Sequence, residues 1–304
     1  MRLKLGVKSD PIEYRYSFDW LFGLMQRHSV EYLQLGSFFE LYTLEDVYFM
    51  DLRAKAAGRG IQIKSCFSSH RELGGFFTGD PRFERCTRDH HARYIQVAAL
   101  LGADYMGANP GAVYRESPEL KAPGIERYLD HMREMMGLAR AQGLKALTME
   151  TMSSLAEPPS TPEEIDYMIS ALSRHHSDNA DRTVPVFLCG DISHGLADKN
   201  KNIICDNVSL FESAIPYMAE FHFKNTDQIY NATFGFDLKQ ADNGIVDLAK
   251  LNRLIADNNG WPVDEVVGYL EISGPKVGRD YSDCQLEKQL SDSIIALKKY
   301  ISFD

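Results

Sequence analysis

The sequence lacks what several protein classes require. No apolar run approaches the roughly 20 residues of a membrane-spanning helix, and the mean hydropathy is -0.30. The opening segment, MRLKLGVKSDP, has no apolar secretory region, so the expectation is a cytoplasmic chain with no membrane partner. Cysteine is sparse. Cys66, Cys86, Cys189, Cys205 and Cys284 are odd in number, scattered and never spaced as CxxC, which argues against both a disulfide framework and a cysteine zinc site and leaves them as packing residues. Positive charge is short as well: 33 Lys and Arg face 43 Asp and Glu, for a net charge of -10. Phosphate backbones are bound by clusters of Lys and Arg, so this balance disfavours a nucleic-acid partner. No GxGxxG follows the first apolar run and no GxxxxGK[ST] occurs anywhere, which removes the support for an open doubly wound nucleotide-binding sheet. Linkers and low-complexity tracts are absent too, so residues 1–304 read as one domain.

What is present is a regular alternation. Short β-branched or aromatic runs give way to a polar or Gly-rich loop and then to a longer segment with helical apolar spacing. Strands are predicted at Leu3 to Val7, Tyr32 to Leu35, Ile61 to Cys66, Tyr105 to Ala108, Ala146 to Met149, Val184 to Cys189, Phe221 to Lys224 and Val266 to Ile272. Helices follow each of them. Their starts are marked by Ser17, by Thr43 with Asp46 as a capping box, by Asp80-Pro81, and by Thr161-Pro162 with Glu164. The others are expected over Ile125 to Ala141, Leu210 to Met218, Ile245 to Asn258 and Cys284 to Tyr300, and Gly58, Gly102, Gly143 and Gly260 mark helix ends. Residues 153–159, 177–183 and 196–207 read as surface excursions. Eight strand–helix units predict a parallel sheet closed into a (β/α)₈ TIM barrel, an α/β fold of natural size for 304 residues.

Strands five to eight each end on a residue able to bind a hard or borderline cation: Glu150 in LTMETM, Asp191 in CGDISHG, His222 in FHFKN and Glu271 in YLEIS. The carboxyl ends of all barrel strands converge on one mouth, so these four can meet around a single ion. Three carboxylates and one imidazole suit Mn²⁺, the first choice, or Mg²⁺ or Co²⁺, with Zn²⁺ also open. Each acid alone could instead cap a loop or pair with a lysine. Glu150 and Glu271, however, have apolar neighbours, and a buried carboxylate needs a cation or a proton.

Glu150, the DxxH of Asp191 to His194, the HxK of His222 to Lys224, and Glu271 form an ordered set that resembles the sugar phosphate isomerase/epimerase superfamily of xylose isomerase-like barrels, which includes the ketose 3-epimerases. The resemblance implies a metal held by the four residues and chelated by the carbonyl and neighbouring hydroxyl of a small-molecule sugar or sugar phosphate, with a cis-enediolate formed on the way. It implies that Glu150 and Glu271 act as acid and base on opposite faces, and that His194 bonds a substrate oxygen. The 3-epimerases carry an arginine shortly after the histidine ligand, where this chain has Gln228, which moves the expectation from a free-ketose 3-epimerase towards a sugar-phosphate enzyme. The loop Ser273 to Arg279 offers Lys276 and Arg279 as an anion site. Lys8, His70-Arg71 and Lys224 are further candidate substrate contacts, with Glu220 or Asp227 as alternative partners for Lys224.

The expected reaction is isomerisation or epimerisation of a short ketose or its phosphate, of tetrulose or pentulose type. A lyase or dehydratase acting on an inosose or keto-sugar derivative shares the first step. An endonuclease of the same fold is a third reading, disfavoured by the acidic balance. Phe38, Phe39, Phe76 and Phe77 wall the pocket or pack against another subunit of a homo-oligomer. His90, His91, His175 and His176 read as surface histidines.

Overall fold

The computed structural model describes residues 1–68, 73–237, 240, 242–275 and 278–304. Eight parallel strands close into a barrel: β1 (Arg2–Lys8), β2 (Tyr32–Gly36), β3 (Gln62–Ser68), β4 (Tyr105–Ala108), β5 (Ala146–Glu150), β6 (Val186–Asp191), β9 (Met218–Phe223) and β10 (Glu265–Leu270). Closure is made by β1 against β10, with Val7 opposite Leu270. The predicted alternation is therefore present, with strand limits displaced by up to three residues. Residues 196–207 additionally hold a small antiparallel pair, β7 (Leu196–Ala197) with β8 (Ile203–Cys205).

The outer ring contains α1 (Phe18–Arg27), α2 (Asp46–Ala57), α3 (Pro81–Leu101), α4 (Lys121–Ala141), α5 (Pro162–Asp178), α6 (Asn207–Ala214), α7 (Leu248–Asp257), the short α8 (Asp280–Asp283) and α9 (Leu286–Tyr300). Most start signals work as expected. Ser17 accepts from Trp20 N, Asp80 from Arg82 N and Thr161 from Glu164 N, each satisfying a first-turn amide. The Thr43–Asp46 box does not form: α2 is led in by Glu45, whose side chain makes no capping bond. Gly102 ends α3 in the left-handed region at φ 72°, where glycine carries no Cβ penalty.

Period-two alternation separates the two faces of each strand. In β9, Phe221 and Phe223 turn outward into ring clusters with Phe211, Trp261 and Phe303, whereas Glu220 and His222 bond across the barrel interior. The layer just below the mouth is polar: Gln34, Ser65, Thr148 and Glu220 are all buried. Barrel interiors are dominated by branched aliphatics, so this layer needs a reason.

The aromatic and histidine clusters are redistributed. Phe76 and Phe77 are fully buried and Phe39 is 83% exposed, so the four phenylalanines do not form one wall. Exposed Cys86 and Cys284 are likewise not packing residues. His91 is not a surface residue either: it is buried on α3, with its ring 4.9 Å from that of His131 on α4 and 6.4 Å from that of Phe76. Burial pushes His91 down to about 4 and His131 to about 2. Both values lie below the ordinary 6.5, so the unfolded chain takes up protons that the folded one refuses. Stability is therefore full above pH 6.5 and falls as pH drops towards 4, by about 1.4 kcal/mol per pH unit for each histidine. Calorimetry on wild type and on His91→Gln/His131→Gln should show a smaller loss of Tm between pH 7 and pH 5 in the variant. Equal losses would refute the assignment.

Candidate metal centre at the barrel mouth

Register places the predicted ligands side by side. Asp191 lies opposite His222 in the β6–β9 pair, Glu150 lies opposite Cys189 in β5–β6, and Glu271 directly follows the end of β10. One ligand atom from each of Glu150, Asp191, His222 and Glu271 lies within 4.8 Å of all the others. His222 Nδ1 is 3.0 Å from Glu150 Oε1, 3.0 Å from Glu271 Oε2 and 4.0 Å from Asp191 Oδ2. Asp191 is fixed through its other oxygen, which accepts from Ser193 N at 2.8 Å and Ser193 Oγ at 2.7 Å. Glu150 Oε2 accepts from the Asn109 amide at 2.9 Å when that amide is turned to donate.

Two buried lysines complete the centre. Lys8 Nζ lies 2.9 Å from Glu271 Oε1 and 3.1 Å from Asp10 Oδ2, above the Phe67 ring at 5.2 Å. Asp10 comes this close because Gly36 ends β2: a Cβ there would lie 1.5 Å from Asp10 Oδ1. Lys224, on the β9 register of Glu220 and His222, lies 2.5 Å from Asp191 Oδ2 and 3.2 Å from Glu271 Oε2. Its partners are thus two candidate ligands, not Glu220 or Asp227. His194 Nδ1 lies 2.5 Å from Thr151 O, and its Nε2 lies 3.4 Å from both Asp191 Oδ2 and Lys224 Nζ.

The charges respond to this crowding. Burial opposes ionisation of Glu271, but Lys224, Lys8 and His222 outweigh it and hold the carboxyl well below the usual carboxylate range. Asp191 is lowered as well, with burial overridden by His194 and Lys224. Burial opposes the charged form of His222, yet Cys189 and Glu271 hold the imidazole well above 6.5.

The donor set fits a divalent cation. Asp191 Oδ2 is buried and takes no aligned hydrogen bond, being held by charge alone. Once His222 gives up its proton, the three carboxylates against two lysines leave negative charge in a buried space that an imidazole nitrogen also faces. Because Nδ1 must lose its proton to ligate, affinity for such an ion falls as pH falls.

Of the other expected contacts, Arg279 is exposed and donates to Gly278 O at 3.1 Å. Gln228 is also exposed. His70 and Lys276 lie outside the described residues. A cavity of about 670 Å³ reaches Asp10, the partner of Lys8, and is lined also by Tyr16, Phe18, Phe38, Glu40 and Tyr48, with none of the four candidate ligands in its wall. Sequence reasoning missed Asp10, Asn109, Gln34 and the place of Glu220 in the layer below the mouth, having named it only as a partner for Lys224. The last carried a usable signal, since it stands two residues before His222 and so shares its face.

Fold and site together define a (β/α)₈ barrel with a carboxylate–imidazole cluster at the carboxyl ends of its strands. A family model described as xylose isomerase-like TIM barrel matches residues 28–294, and the chain belongs to that family. Among solved structures, a xylose isomerase candidate from Rhodospirillum rubrum ATCC 11170 superposes with a TM-score of 0.80 at 21% identity, covering 99% of each chain. D-psicose 3-epimerase from Clostridium cellulolyticum H10 gives 0.70 at 16% identity, over 99% of this chain and 100% of that one. A 3-DHS dehydratase candidate from Bacillus anthracis gives 0.65 at 13%, over 97% and 98%. At these identities the likeness is one of fold. No curated protein sequence matches the chain.

Proposed function

We propose that the chain is a divalent-metal-dependent sugar isomerase or epimerase that moves a proton on the carbon beside the carbonyl of a short ketose or ketose phosphate, with Mn²⁺ as the ion. The observation that carries this reading is the placement of Glu150 and Glu271, each 3.0 Å from the same His222 nitrogen, so that two carboxylates flank one point at the mouth. Glu150, Asp191, His222 and Glu271 hold the ion in this reading. When bound, the ion supplies Lewis acidity, which makes the C–H next to a carbonyl acidic.

The chain's own residues do the rest. Glu150 and Glu271 remove and return the proton, one from each side. Lys224, His194 and Lys8 present donors to substrate oxygens and offset the charge that develops on them. The cavity at Asp10, with Glu40 among aromatic rings, suits a neutral hydroxylated end of a substrate. A phosphate would have to be held elsewhere, and the 273–279 loop is our candidate for it through Lys276 and Arg279. His70 remains a proposed contact from the loop after β3.

A dehydratase begins with the same proton removal, and the dehydratase among the similar folds supports it as the second reading. The two are separated by incubating the Mn²⁺-loaded protein with a panel of ketoses, ketose phosphates and keto-sugar acids in D₂O. Deuterium beside the carbonyl of recovered or epimerised sugar is the expected result. Loss of water from the substrate would replace the isomerase with a lyase, and no exchange with any member would overturn both.

A further inference from the structure

The buried polar layer under the mouth has an orientation, and it bears on the metal centre. Gln34 Oε1 lies 2.8 Å from His222 Nε2, while Gln34 Nε2 donates to Glu220 Oε2 at 3.3 Å and approaches Ser65 Oγ at 3.5 Å. Glu220 is held in turn by Thr148 Oγ1, which donates to its Oε1 at 2.7 Å. All of these residues are buried, so a reversed bond cannot be rescued by water.

We propose that Gln34, oriented by Glu220, is a positioning residue that fixes which nitrogen of His222 faces the metal. An amide has one accepting end and one donating end, and both Glu220 oxygens sit where they accept, Oε1 from Thr148 Oγ1 and Oε2 from Gln34 Nε2. Glu220 therefore claims the NH₂ end of Gln34, which turns the carbonyl towards His222 and requires the imidazole to donate from Nε2. The lone pair is left on Nδ1, the nitrogen that faces Glu150 and Glu271. The other neighbour of Nε2, Cys189 Sγ at 3.5 Å, is too weak a hydrogen-bonding group to impose the opposite tautomer. The polar layer thus transmits an instruction from β2 and β5, through Glu220 on β9, to a ligand two residues further along the same strand.

This inference rests on the reading of the cluster as a metal site, and the experiment separates the two. Mn²⁺ binding to the full chain is measured by calorimetry for wild type, Gln34→Met, Gln34→Glu, and the double variant Gln34→Glu/Glu220→Gln. Outer partners of metal-bound histidines are typically worth about 10–100-fold in affinity, and a loss of that size is expected for Gln34→Met. Gln34→Glu alone sets two buried carboxylates together and should weaken both folding and binding. The double variant restores one acceptor and one donor in exchanged positions, and its affinity should return to within a few-fold of wild type. In the Mg²⁺-loaded protein with ¹⁵N-labelled histidine, His222 should carry its proton on Nε2, and Gln34→Met should lose that single form. Wild-type Mn²⁺ affinity in Gln34→Met, an unchanged His222 spectrum there, or a double variant no better than Gln34→Glu would overturn the role of Gln34. Failure of the wild type to bind Mn²⁺ would overturn the metal reading itself.

Discussion

Glu271→Gln is expected to reduce deuterium incorporation by about 10³-fold or more, within the 10²–10⁴ range that a positioned proton-transfer group contributes. Glutamine keeps the shape and one oxygen, so the loss isolates the missing charge and proton site. The surroundings make the effect large. Lys8 and Lys224 both lie against this carboxylate, and neutralising it leaves two buried ammonium groups short of a counter-charge. Glu150→Gln should fall as far in turnover but less in stability, because its nearest partners are His222 and the Asn109 amide and, among the described residues, Lys8 and Lys224 act on it only at longer range. Exchange kinetics and thermal unfolding, measured on both variants, test the pair. Near-normal turnover in either would remove that residue from the acid–base roles.

The second large effect concerns Asp191. Replacing it with leucine removes the 2.5 Å partner of Lys224 and the acceptor of two Ser193 bonds in a fully buried setting. Breaking a buried ion pair by removing one partner costs about 3–5 kcal/mol, because the remaining charge stays buried. The unfolding midpoint, measured with chelator present so that no ligand contributes, should drop by about 5–10 °C in a chain of this size. Adding Lys224→Met to Asp191→Leu should recover part of that loss, since neither charge then remains. A double variant less stable than Asp191→Leu would show that the pair is not the origin of the cost.

Much of this site was legible from spacing. Glu150, Asp191, His222 and Glu271 were readable because four strands in succession end on a ligating residue, and parallel closure brings strand ends together. The acids that hold Lys224 were not, because sequence proximity suggested Glu220 and Asp227, whereas the period-two face of β9 sends Glu220 down into the barrel and Lys224 up to Asp191. Gln34 gave no cue in β2, where a single polar residue among Leu33 and Leu35 is compatible with many roles. The hairpin of β7 and β8 was hidden because strands of two and three residues have no measurable period. Arg279, read as an anion ligand from its loop, is exposed and donates to the carbonyl of Gly278, and its role toward an anion stays a proposal. The His91–His131 contact depends on how α3 packs against α4, which spacing within either helix does not reveal.

The candidate ligands stand on the last residues of strands or directly after them, and the polar layer that steadies His222 lies deeper still. The segments after β1 and β2 carry much of the cavity wall, Asp10, Tyr16, Phe38 and Glu40 among it. Such an arrangement separates a fixed anvil from interchangeable tooling: insertions, deletions and substitutions in the rim can retarget the substrate while the ion-holding geometry stays as it is. A library confined to the loops after β1, β2 and β10 would therefore be a sound starting point for directed evolution, whereas randomising Gln34 or Glu220 would spend its diversity on a part that every useful descendant has to keep.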